Sequence, residues 1–243
     1  MMELSKRLQA VADLVTAHYK LADIGTDHAY IPIYLTQQKK ITEAVALDVN
    51  EGPLQRAEEH IRENGLEAEI ETRLSNGFQA LQPGEVQSAV IAGMGGGLVI
   101  RILTEGAEVV RKLEECILQP QSEIEKVRAF LLEKGYEFLE EDMVCEDGKY
   151  YPMMRVEHGS MKLPAKGELE YGNPALQRSI GVWSAYLRAE QGKTDVILKT
   201  LVDNGQEKSD RYVELLDKRS RMVDMLNRIP AGCGQEMKEY EMQ

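Results

Sequence analysis

The sequence predicts an α/β protein: a seven-stranded, Rossmann-like sheet with its last strand antiparallel, followed by a C-terminal helical hairpin. Three observations predict it. Short apolar runs alternate with helix-length amphipathic segments, the pattern of parallel strands joined by crossover helices. Two extended runs then flank Asp147-Gly148, a hairpin turn signal. Beyond a Pro/Gly-bearing linker, the apolar residues take the four–three spacing of paired helices.

The elements follow in order. "YKLADIG" (19–25) is a short apolar strand closing on glycine, and "YIPIYLTQQ" (30–38) has helical spacing with Pro32 in its first turn. "EAVALDV" (43–49) is a second strand, after which Asn50 is placed to cap a helix that stops at Gly65. "EAEIETRL" (67–74) alternates as a third strand, "SAVIAGMGG" (88–96) is a fourth, and 99–113 reads as one helix. "ECILQP" (115–120) is a fifth strand, followed by a helix over 122–135 and the hairpin of 136–159. Residues 161–174 read as a linker. Leu176, Ile180, Trp183, Leu187, Ile197 and Leu201 then mark one apolar stripe, with Glu190 and Thr194 as flaws in it. Tyr212, Leu215, Met222, Leu226 and Ile229 mark a second, after the turn signal Asn204-Gly205. The expected division is a ligand-binding domain over 1–160 and a linker with a helical, coiled-coil domain over 161–243.

Composition narrows the class. With 43% apolar residues in 243, the chain can bury a real core. No run of 18 apolar residues and no signal-peptide pattern is present, so a cytoplasmic protein without membrane spans is expected. Cys116, Cys145 and Cys233 lack metal-ligand spacing, and no metal is expected. The net charge of −12 disfavours a nucleic-acid partner. It lies wholly before residue 160, however, because 160–243 carries 13 basic and 13 acidic residues. Lys208, Arg211, Lys218, Arg219, Arg221 and Arg228 leave open whether the tail grips RNA or only stabilises the fold.

The chemistry lies at the strand ends, where an open parallel sheet binds its ligands. Gly25 closes the first strand, giving a tight turn that brings backbone close to a ligand. Asp48 closes the second, about 20 residues on, the spacing at which an acid accepts from ribose hydroxyls. Asn76-Gly77 follows the third, where an amide can meet an adenine edge. Gly93, Met94 and Gly95 follow the fourth, offering bare backbone and a soft apolar side chain. Each is weak alone, but their succession points to a nucleoside site of the S-adenosylmethionine (SAM) type. A dinucleotide site is disfavoured because GxGxxG is absent; Asp27 and Ala29 stand where a glycine-rich nucleotide loop would carry its next two glycines. The fourth strand also lacks the (D/N)PP(Y/F/W) of enzymes that methylate exocyclic amino groups. That favours attack by a ring nitrogen.

"LSKRL", "ADIGTDHAYIP", "ALDVNEGPL", "SNGFQAL", "IAGMGG" and "LQPQ" together resemble the bacterial tRNA (adenine-22 N1)-methyltransferase family. The resemblance runs from the amino terminus through the hairpin, and the tail is similar to that family's coiled-coil domain. It implies a class I methyltransferase fold, SAM as methyl donor and tRNA as substrate, with a monomer or weak homodimer as the working form. It also implies roles. Asp23 and Gly25 frame the methionine end of SAM, and His28 contacts that end or fixes the turn. Asp48, with Val49 beside it, takes the ribose; Asn76 and Gly77 take the adenine. Gly93, Met94 and Gly95 line the sulfonium and the target base. Arg7 reaches the SAM carboxylate or an RNA phosphate, or is a plain surface arginine. Asp27 accepts from the adenine amino group or caps the next helix; Tyr30 stacks on the base or is a core aromatic. "LQPQ" lines the target pocket or simply starts a helix. Two other readings stay open: a SAM methyltransferase acting on a small molecule or protein, and a non-catalytic SAM- or RNA-binding module.

Overall fold

The computed structural model describes residues 2–161 and 164–230, so Cys233 lies outside the described residues. The strands are β1 (Leu21–Ile24), β2 (Ala44–Asp48), β3 (Ile70–Leu74), β4 (Ser88–Met94), β5 (Glu115–Pro120), β6 (Tyr136–Glu146) and β7 (Lys149–His158). The first helices are α1 (Lys6–Leu14), α2 (Tyr30–Gln37), α3 (Glu51–Glu63), α4 (Gly96–Glu105), α5 (Ala107–Val110) and α6 (Ile124–Glu133). Sheet order is β3-β2-β1-β4-β5-β7-β6, and β7 runs antiparallel to β5. The predicted seven strands with the last antiparallel are therefore present.

Alternation along the central strands sorts the core into two layers. Ala22, Ile24, Val45, Leu47, Ile91 and Leu118 join one apolar cluster with Val99, Ile102 and Val127 of α4 and α6. Their neighbours Leu21, Ala46, Val90 and Ile117 are equally buried, as strands covered on both faces require. Helix α1 was not foreseen. Its signals are plain in retrospect: the Ser5 hydroxyl accepts from Leu8 N at 3.3 Å, and Val11, Ala12 and Leu14 are buried. The single helix expected over 99–113 is broken at Gly106, where a Cβ would lie 2.4 Å from a Phe78 ring carbon.

The described residues divide into two compact units, 2–140 with 145–161 and 141–144 with 164–230. In the second, the expected linker contains a short helix, α7 (Lys166–Tyr171), and α8 (Ile180–Asp203) pairs with α9 (Asp210–Asn227). Trp183 is fully buried, and its indole N–H donates to Tyr171 O at 2.7 Å. The stripe keeps the predicted register as far as the buried Thr194 and then departs from it: Leu198 is buried, whereas Ile197 is 43% exposed. A helix of 3.6 residues per turn drifts from strict seven-residue spacing. Thr194 is tolerated because its hydroxyl donates to Glu190 O at 2.9 Å. The tail's arginines are engaged within their own unit. Arg219 pairs with Asp195 at 2.5 Å, Arg221 with Glu170 at 2.7 Å, and Arg228 with Glu168.

Gly96 opens α4 against the chain entering α6. A Cβ there would lie 2.4 Å from the backbone oxygen of Ser122 and 2.9 Å from a Val127 methyl. Gly96→Ala is expected to lower unfolding free energy by about 1–3 kcal/mol. An unchanged urea midpoint would contradict this packing.

Candidate active site

The sheet's topological switch falls between β1 and β4, which pair side by side while their connections leave in opposite directions. At the carboxyl ends of these two strands lies a cavity of about 340 Å³. It brings together seven of the sequence-predicted residues: Arg7, Asp23, Gly25, Asp27, His28, Tyr30 and Gly93. Gln121, from "LQPQ", lines it too.

The floor is a buried acid. Asp23 is 7% exposed, and its carboxyl is pushed up to about 6. Burial is the main cause; a hydrogen bond from Thr26 opposes it, and the nearby charge of Asp48 adds to it. The turn after β1 is pinned to β2, because Gly25 N and Thr26 N both donate to Leu47 O, at 2.7 and 2.9 Å. Gly25 has φ +79°, and the Met94 methyl lies 2.0 Å from where its Cβ would be. The left-handed φ is what calls for glycine here, and any Cβ would also displace the Met94 methyl. Ala29 does what a glycine would be expected to do: it has φ 54° and is fully buried. Thr26 Oγ1 accepts from Ala29 N at 3.2 Å and holds the loop there.

Across the cavity, β4 bulges between Ala92 and Met94, and Gly93 turns with φ +79°. The buried Gln119 governs this bend. Its Oε1 accepts from Gly93 N and from Arg7 Nη1, each at 3.1 Å, so one amide fixes the loop and aims Arg7 at the cavity. The sequence offers Gln119 only as part of "LQPQ" and gives Thr26 no role, because nothing local marks a buried acceptor shared by distant groups.

The polar rim has its own partners. Asp27 Oδ1 accepts from Arg56 of α3, and His28 Nε2 lies 3.4 Å from Asp27 Oδ2. Asp27 does not cap α2, whose cap position is Ala29. Tyr30 is 37% exposed, so it is not a core aromatic. His28 Nδ1 is buried without a hydrogen-bond partner.

The remaining predicted residues lie at strand ends outside this cavity. Asp48 Oδ1 accepts from Asn50 N at 2.8 Å, and Val49 beside it is exposed. Asn76 is exposed, and Gly77 turns with φ +60° against Ile102. Met94 folds its side chain over Gly25, and Gly95 precedes α4. Among the described residues no group of three or more His, Cys, Asp or Glu is placed to hold a metal ion. No helix there is long and apolar enough to cross a membrane.

A mostly parallel sheet with one antiparallel strand, and with acids and bare glycine turns at its switch-point edge, defines the class I methyltransferases. Comparison with known proteins agrees. The methyltransferase domain family matches residues 4–154. A Bacillus subtilis protein, tRNA (adenine(22)-N(1))-methyltransferase, is 36% identical over 158 residues, covering 65% of this chain and 66% of that one. A Streptococcus pneumoniae protein provisionally assigned as a tRNA (m1A22) methyltransferase, solved with S-adenosyl-L-methionine, is 33% identical with a TM-score of 0.80. That similarity covers 92% of this chain and all of the streptococcal one. A Mycoplasma capricolum enzyme solved with S-adenosyl-homocysteine has a TM-score of 0.80 at 26% identity, over 94% of this chain and all of that one. The chain belongs to the methyltransferase domain family and, within it, to the tRNA (adenine-22 N1)-methyltransferase family.

The left-handed Ala29 gives a direct test. Glycine there relieves about 1–2 kcal/mol of backbone strain and gives back a similar amount in chain entropy and lost burial. Ala29→Gly is expected to stay within about 1 kcal/mol of the wild type, and Ala29→Val to lose about 1–3 kcal/mol. Urea melts that found the glycine as damaging as the valine would contradict the assigned conformation.

Proposed function

We propose that this protein transfers the methyl group of SAM to N1 of adenine 22 in tRNA. The observation that carries the reading is the cavity itself: a desolvated carboxyl between two glycine turns, at the switch point of a sheet of this family. The residues present fit SAM. Its ammonium suits the buried Asp23 carboxyl, Gly25 lines the same cavity with bare backbone, and Gln119 holds Arg7 where a ligand carboxylate can reach it. Asp48 and Val49 serve the ribose, Asn76 and Gly77 the adenine, and Gly93, Met94 and Gly95 the region of the sulfonium. His28 fixes the turn.

SAM supplies an electrophilic methyl, so the protein's task is alignment. Holding nucleophile and methyl in line is worth about 7–11 kcal/mol. Adenine N1 is unprotonated at neutral pH and attacks directly, leaving a cationic base. Asp27 accepts from the adenine amino group and stabilises that charge, for which its pair with Arg56 must open. Tyr30, exposed at the rim, stacks on the base once it leaves the tRNA stack. The tail serves as a coiled-coil element that stabilises the fold, since its arginines are engaged with acids of its own unit. The reaction belongs to the cytoplasm, and the working form is a monomer or weak homodimer.

Methyl transfer from labelled SAM to bulk tRNA, followed by mapping of the modified base, tests the reading. Label at N1 of adenine 22 is expected; label only in protein or small molecules would overturn it. Asp27→Asn is expected to leave SAM affinity within about threefold and to slow single-turnover methylation on the order of a hundredfold. Equal losses in both would make Asp27 a cofactor or structural residue.

The acid–base behaviour of Asp23 adds a pH dependence. An ammonium binds the ionised carboxylate, so SAM affinity should be flat above about pH 6 and fall roughly tenfold per unit below it. Calorimetry from pH 5 to 7.5 reads this, and Asp23→Asn should bind weakly with no such slope. A raised carboxyl also means that fold stability declines as pH rises from about 4 to about 6.

A further inference from the structure

Three aromatic rings meet at the rim of the cavity. His28 and Tyr30 have centroids 4.8 Å apart with planes 8° apart, and His28 and His60 are 5.0 Å apart at 21°. Tyr30 and His60 complete the triangle at 5.5 Å and 17°. Stacked rings lie about 3.5 Å apart, so a ring sandwiched between two others would hold the outer pair about 7 Å apart. No pair here is that far apart. The rings therefore form a stepped ledge and not a closed stack, and Tyr30 on it is 37% exposed. His60 is fixed on α3 by its Nδ1, which donates to His28 O at 3.2 Å. Four residues earlier, on the same face of the helix, Arg56 reaches the Asp27 carboxylate.

We propose that Arg56 and His60 of α3 complete the binding site for the target nucleotide, with the base on the ring ledge and its phosphate on Arg56. This rests on the tRNA reading above. An arginine with its side chain 46% exposed, paired to a carboxylate that is itself 62% exposed, exchanges that partner readily for a doubly accepting phosphate. The exchange frees Asp27 for the amino group of the same nucleotide. Arg56 thus links arrival of the substrate phosphate to release of the acid that meets the base. Both would contact the target nucleotide directly, and both come from α3.

The test compares wild type, Arg56→Ala, Arg56→Lys, His60→Ala and His60→Phe with one unmodified tRNA transcript, measuring SAM affinity, tRNA affinity against salt, and methylation. SAM affinity should stay within twofold throughout. Arg56→Ala should weaken tRNA binding and reduce the slope of log affinity against log salt by about one, with the slope restored in Arg56→Lys. His60→Ala should lose on the order of tenfold in kcat/KM for tRNA at an unchanged salt slope, and His60→Phe should recover most of it. An unchanged slope in Arg56→Ala, or a His60→Phe as poor as the alanine, overturns the proposal while a methylating wild type leaves the reaction standing. A wild type that neither binds nor methylates tRNA overturns both.

Discussion

Burial of the Asp23 carboxyl at the end of β1 is the constraint around which the site is arranged. An ionised carboxylate taken out of water is costly, and here one Thr26 hydroxyl offsets only part of that cost while Asp48 adds to it. Such a group persists where function uses it. Its neighbours follow from it. The chain must turn away at once from a fully covered strand, so Gly25 takes a left-handed conformation, and Thr26 ties the acid to the strained Ala29. Gln119 answers from the other side, setting the Gly93 bend and the aim of Arg7 with a single oxygen.

Site and fold are joined through the sheet. Parallel pairing of β1 with both β2 and β4 puts their carboxyl ends on one edge, which is how Asp23 comes to feel the charge of Asp48. The second unit depends on its own pairs. Arg219, Arg221 and Arg228 are met there by Asp195, Glu170 and Glu168. The rim of the cavity is different: Arg56 is exposed there and pairs with the likewise exposed Asp27.

Much of this was legible in the sequence wherever a local rule operated. Gly25 and Gly77 could be read because tight turns recur at strand ends, and both take a positive φ there. The antiparallel strand could be read from Asp147-Gly148. Contacts between distant residues were not legible. Arg56 lies 29 residues from Asp27, and His60 lies 32 from His28, so no spacing rule could pair them. Ala29 was read as a lost glycine, yet the left-handed conformation survived the change of residue, because burial and the Thr26 bond hold it. In the tail, a strict heptad carried the stripe onto Ile197, and the real helix turned Leu198 inward.

The most direct measurement of the central claim is a crystal structure of the protein with S-adenosyl-homocysteine. The account predicts the ligand's ammonium within hydrogen-bond reach of the Asp23 carboxylate and its ribose diol on Asp48, with the Gly25 and Gly93 turns unmoved. A nucleoside bound elsewhere, or bound with Asp23 facing no cationic group, would contradict it.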